Sequence, residues 1–166
     1  LPPGKFRMRY GRGPEYRWLA RDIEVTLGKP AIDVKLERWI HPQRKGYFGG
    51  DHHIHAAGCS HYQFPTQGIG PDDIYRQVKG EGLNVGCVLT WGPCFDFQKD
   101  YFSARADKVS DPLTVLKYDI EVSGFGSAAF GHVCLLNLKE QIYPGAEGSK
   151  GWPIWTVPTL RWAKDQ

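Results

Sequence analysis

The chain of 166 residues has no apolar run long enough to span a bilayer, which takes about 20 predominantly apolar residues. It also lacks the basic stretch, apolar run and small-residue cleavage site of a secretory leader. Cysteine occurs four times, at positions 59, 87, 94 and 134, and never as a CxxC pair. That argues against a zinc ribbon. A Cys87–Cys94 disulfide stays open, and with it the redox compartment. Charge of one sign is scarce too. The net charge is +3 and the basic residues are dispersed, which is no nucleic-acid footprint. Arg7, Arg9, Arg12, Arg17 and Arg21 enrich the N-terminal part and read as solvated strand faces. There is no internal repeat or low-complexity tract. Gly124-Phe125-Gly126-Ser127 lacks the Lys-Ser/Thr of a phosphate loop. Ser60 and Ser123 stand in no nucleophile elbow, which argues against a serine hydrolase.

Glycine and proline are plentiful, at 20 and 12 residues. They mark many turns and argue against an all-helical bundle. Over residues 1–40 apolar positions alternate with polar ones: Phe6, Met8 and Tyr10, then Ile23, Val25 and Leu27, then Ile32, Val34 and Leu36. A period of two predicts half-buried antiparallel strands, three or four of them, as in part of a β-sandwich. The pattern changes after Trp39. Residues 41–46 read as a linker, and Tyr47 to His55 leads into a strand. Pro71-Asp72-Asp73 starts a helix that runs to about Lys79 and stops at Gly80 and Gly82. Leu83 to Trp91 is an apolar run of the kind found in buried parallel strands. Phe95 to Phe102 reads as a short helix or aromatic loop. Leu116 to Val122 and His132 to Leu138 are two further strands, and Val157 to Gln166 is helical. This order predicts α/β architecture with a largely parallel sheet.

The chain opens at Leu1 without a Met and closes at Gln166 inside a helical pattern. We expect a piece of a longer protein or a processed one, so the missing leader carries no weight for localisation. Among six Trp and eight Tyr, Trp91, Trp152, Trp155 and Trp162 are candidates for stacking on sugars, with core packing the expected role. Trp91-Gly92-Pro93-Cys94-Phe95 follows a strand end and is placed to line a pocket mouth.

Four of the six histidines fall in one short window: His52, His53, His55 and His61. On a strand, His53 and His55 share a face with Asp51, and His52 points away. Two imidazoles and a carboxylate at one strand end are a starting point for a metal site. Glu121, at the end of an apolar strand, and His132, at the start of the next, are the other two candidates. A carboxylate such as Glu121 can bridge two metals roughly 3.5–4 Å apart.

The ordered set of Asp51-x-His53-x-His55 after a Gly, Glu121 in YDIEVSG and His132 in GHVCLL resembles the metal motifs of the polymerase-and-histidinol-phosphatase (PHP) superfamily. Within it the chain resembles the carbaryl-hydrolase-like metallohydrolases, and GEGLNVGCVLTWGP and YDIEVSGFGSAAFGH add to the similarity. The motifs cover residues 47–138. The resemblance implies α/β architecture: β-sandwich-like strands and a linker over 1–46, then over 47–166 the first part of a distorted, truncated β/α barrel. It implies two or three divalent ions (Zn, Mn or Fe) in the complete site. Their ligands would be Asp51, His53, His55, Glu121 and His132, with Glu121 and His132 catalytic. It implies hydrolysis of phosphoesters, or of carboxylic or carbamate esters and amide-like bonds. Metal-activated water attacks, and the metals stabilise the developing oxyanion. The expected partner is a small-molecule substrate, not nucleic acid or membrane, and the family suggests a bacterial periplasmic or secreted setting. The chain departs from the family in two places. Ala56-Ala57-Gly58-Cys59-Ser60-His61 stands where many members have Ser-Asp-Gly, which leaves the roles of Cys59 and His61 open. The family's later ligands lie beyond Gln166, so the site and barrel are expected to be incomplete here and to continue into, or assemble with, a C-terminal region. Two other readings compete: a single-metal double-stranded β-helix protein using His53, His55 and His132, and a non-catalytic β-rich binding module.

Overall fold

The computed structural model describes residues 1–28, 31–57, 63–64, 67–123 and 131–166. The alternating residues near the N-terminus form β1 (Gly4–Tyr10) and β2 (Leu19–Val25). They pair antiparallel, with Phe6 opposite Ile23 and Met8 opposite Arg21. The third alternating stretch forms no strand. An isolated bridge, Tyr16 to Arg38, and single contacts such as Arg21 Nη2 to the Asp33 carbonyl tie that segment to its neighbours without a ladder, and Ile32, Val34 and Leu36 remain 43, 41 and 38% exposed. Alternation supplies strand propensity, but a strand exists only where a ladder partner accepts its amides. The N-terminal part is therefore a two-stranded ribbon rather than the three or four strands of a sandwich.

The remaining elements are β3 (Gly50–Ile54), α1 (Pro71–Gly80), β4 (Val85–Thr90), α2 (Phe95–Gln98), β5 (Val115–Val122), β6 (Val133–Leu135) and α3 (Thr156–Lys164). The sheet order is β3-β4-β5-β6, a mixed sheet that curls as half a barrel does. β3, β4 and β5 run parallel and β6 antiparallel. Only residues 123–132 separate β5 from β6, fewer than a parallel crossover requires. The expected largely parallel sheet thus ends in an antiparallel strand. The parallel ladder with a helix between β3 and β4 also differs from a double-stranded β-helix, which is an antiparallel all-β architecture.

α1 begins where its first turn predicts, with Pro71 at the start and Asp72 and Asp73 against the N-terminal dipole. Ile74 and Val78, four apart on one face, pack on Val88, Leu116 and Tyr118. Gly86 makes this contact close. A Cβ there would lie 2.7 Å from Val78 Cγ2 and 3.2 Å from Ile54 Cδ1. Gly86→Ala should therefore lower unfolding free energy by about 1–3 kcal/mol through overpacking, read as a reduced urea midpoint. An unchanged midpoint would mean that α1 does not rest on bare backbone.

A second cluster joins Phe95, Ile120, Val122, Leu135, Leu138 and Trp152. Trp152 meets Trp91 edge-on at 5.0 Å and Trp162 at 5.4 Å, so these rings serve the core, whereas Trp155 is 65% exposed. Cys87 and Cys94 are buried and free, not disulfide-bonded. Among the described residues no helix is long and apolar enough to cross a membrane.

Candidate metal centre

β3 carries an irregularity that decides which of its side chains meet. Asp51 pairs with Gly86 and Ile54 with Val88, so β3 advances three residues while β4 advances two. The extra residue is a bulge, and a bulge changes which face the following side chains occupy. Asp51 and Ile54 both border the crevice formed with Ile74, Gln77 and Val78 of α1. His53 and His55 take the opposite face. The expected grouping of Asp51 with the two imidazoles is therefore not found. Its carboxylate instead accepts the His53 backbone N–H at 2.9 Å, a local Asx contact that fits the distorted strand.

Glu121 is the centre of the cluster. It lies late on β5, buried, in a strand whose other face packs in the core. Its Oε2 is 2.9 Å from His53 Nε2 and 3.2 Å from His55 Nε2. Its Oε1 makes a short contact with Nδ1 of His132, the residue just before β6. The carboxylate thus faces the two β3 imidazoles with one oxygen and the third imidazole with the other. His53, His55 and His132 have side chains 37, 31 and 67% exposed against 4% for Glu121, so the buried anion presents its rings toward solvent. Burial alone would raise the Glu121 carboxyl. The hydrogen bonds from His53 and His132 and the charges of His53 and His55 outweigh it and bring the carboxyl below its ordinary value.

The set fits a divalent cation. Ligand atoms of His53, His55 and Glu121 all lie within 4.8 Å of one another, and imidazole with carboxylate is a donor set for zinc, manganese or iron. The two Nε2 atoms are 3.1 Å apart. Two protonated rings this close would repel; a cation among them would accept a lone pair from each nitrogen and from Oε2. His55 Nδ1 is buried without a hydrogen-bond partner among the described residues. His132 contacts Glu121 but falls outside the tight group of three.

Sequence reasoning passed over three neighbours. Cys134 pairs in register with Glu121, and its Sγ lies 3.8 Å from His53 Nδ1. Burial, then the Glu121 charge, raises its thiol, so it is held in the protonated form. Its position two residues after His132 was the available signal. Lys117 and Asp119 share the Glu121 face by strand alternation and form a buried ion pair at 2.9 Å. His52 is exposed and outside the cluster, as alternation predicts. Cys59, His61 and Gly124-Phe125-Gly126-Ser127 lie outside the described residues. Compared with known proteins, the chain matches no family model, no curated protein and no solved structure.

Proposed function

We propose that this chain carries the first part of a metal-dependent hydrolase site of the PHP kind, acting on phosphoesters or on carboxylic or carbamate esters and amide-like bonds. One observation carries the reading: three imidazoles from two separate stretches of chain converge on a single buried carboxylate. A core position near the end of an apolar strand has no structural need for a charge, and burying one is costly unless it is partnered. His53, His55 and Glu121 would hold the cation. With an oxygen toward each side, Glu121 would also help His132 to hold a second one. When bound, such ions lower the pKa of a coordinated water and polarise the scissile bond. The chain's own part is to fix this geometry. Glu121 orients His53 and His55 through Oε2, and Oε1 holds His132 at Nδ1. His132, the most exposed of the three rings, is the one that meets an incoming substrate and can move a proton there. Asp51, turned toward α1, is not assigned a ligand role.

The test is metal content by mass spectrometry on protein purified without chelator, beside a His53→Ala/His55→Ala variant. Bound metal at or above one equivalent in the wild type and none in the variant is the expected result. Hydrolysis of p-nitrophenyl phosphodiesters and carboxylic esters by the metal-loaded protein then selects the substrate class. Equal metal content in both proteins would remove the reading.

A further inference from the structure

A cavity of about 380 Å³ lies where Asn84 and Thr114 lead into β4 and β5, and the N-terminal segment forms its other wall. This is the opposite end of the parallel strands from His53, His55 and Glu121. Four cationic side chains line it: Arg12, Arg38, Arg44 and Lys79. Lys79 is matched by Asp111 at 2.7 Å and Arg38 by Glu15 at 3.2 Å. Among the described residues Arg12 donates only to neutral acceptors, the Lys79 carbonyl at 2.7 Å and the Gly80 carbonyl at 3.2 Å. Arg44 has no side-chain partner among the described residues. Two cations are therefore left without a carboxylate in one concave site.

The donors are also held in place before any ligand arrives. The Tyr16 ring has the Arg12 guanidinium at 5.6 Å and the Arg38 guanidinium at 5.0 Å, which restrains both. Gly13, with φ +56°, lets the turn that carries Arg12 seat against the Glu81 carbonyl, where a Cβ would overlap it. On the far wall Asn84 ties the segments together, accepting from Gly49 N–H and Gln43 Nε2 and donating to the Leu113 carbonyl. Arg38 Nε is buried and has no hydrogen-bond partner among the described residues. Guanidinium groups restrained in one concave wall and two surplus charges describe a receptor for a compact dianion. The volume is within the range of small-molecule pockets, roughly 300–1,000 Å³, and leaves room for more than a bare oxyanion.

We propose that this cavity binds a phosphate dianion, free or as the monoester end of a small molecule, at a site separate from the candidate metal centre. The test is isothermal titration of the chelator-treated, full 166-residue chain with inorganic phosphate and with glycerol 3-phosphate, at fixed ionic strength in chloride. Saturable one-to-one binding of at least one of them is expected. Tighter binding of the ester identifies an esterified ligand, and equal affinity identifies the free ion. Arg44→Ala should weaken binding about tenfold or more, the loss of one charge-assisted hydrogen bond. Its side chain is exposed and unpaired, so the substitution leaves folding intact. The His53→Ala/His55→Ala protein should bind as the wild type does. No saturable binding of either probe, or binding that survives Arg44→Ala and disappears with the two histidines, overturns the proposal.

Discussion

Asp119→Ala should lower the unfolding free energy by about 3–5 kcal/mol, a large part of the 5–15 kcal/mol typical of a domain. Asp119 is fully buried. Its Oδ1 accepts from Lys117 Nζ at 2.9 Å and from Leu138 N–H at 3.0 Å, and its Oδ2 from Asn137 N–H at 2.8 Å. Asn137 has φ +60°, a left-handed conformation that asparagine tolerates better than most residues. The carboxylate thus fixes the turn leaving β6 as well as a cation. Burial pushes its pKa above the ordinary value, against the pull of Lys117 and the two amides. Truncation orphans both amides at once. It also leaves the Lys117 ammonium with only the Tyr118 carbonyl at 2.9 Å and the face of Phe102 at 4.3 Å. Lys117→Met makes the contrast. The Asp119 carboxyl keeps both amide donors and can take up a proton in place of the lost cation, so the cost should be about 1–3 kcal/mol. Urea unfolding of metal-free protein measures both. Equal losses, or a smaller one for Asp119→Ala, would mean that the ion pair rather than the turn is what Asp119 secures.

The legible parts of the sequence were those set by local periodicity and end signals. Pro71 with two acids located α1. The apolar run before Trp91 located β4. A carboxylate at the end of β5, where the apolar positions Leu116, Ile120 and Val122 mark a core strand, pointed to Glu121. Lys117 and Asp119 are charges in that same strand and gave the same signal, but their partners are one another and a distant turn, which periodicity does not display. What stayed hidden depended on ladder partners. Strand alternation placed Asp51 beside His53 and His55, and the bulge that separates them exists only in the register between β3 and β4. Ile32, Val34 and Leu36 alternate as well as Phe6, Met8 and Tyr10 do, yet only the latter have a partner strand. The direction of β6 followed from the length of its connection rather than from its residues.

Glu121→Gln should weaken binding of a divalent ion by more than the roughly 10–100-fold that loss of an outer hydrogen-bond partner costs. The substitution keeps the shape of the side chain and removes the charge that His53, His55 and His132 all face. Competition of zinc or manganese against a chromophoric chelator reads the change. An affinity equal to that of the wild type would place the metal elsewhere. A second readout needs no metal. The folded protein holds the Glu121 carboxyl below its ordinary value, while in the unfolded chain it titrates near about 4.3. A depressed carboxyl contributes stability that is complete above the unfolded value and is lost as the pH falls through the folded one. The metal-free wild type should therefore lose stability on acidification below about pH 4.3 more steeply than Glu121→Gln, which has no carboxyl to protonate. Parallel acid limbs for the two proteins would mean that the imidazoles do not hold Glu121 ionised. A lost metal site with a flattened acid limb would tie both properties to one side chain, the anion that three histidines share.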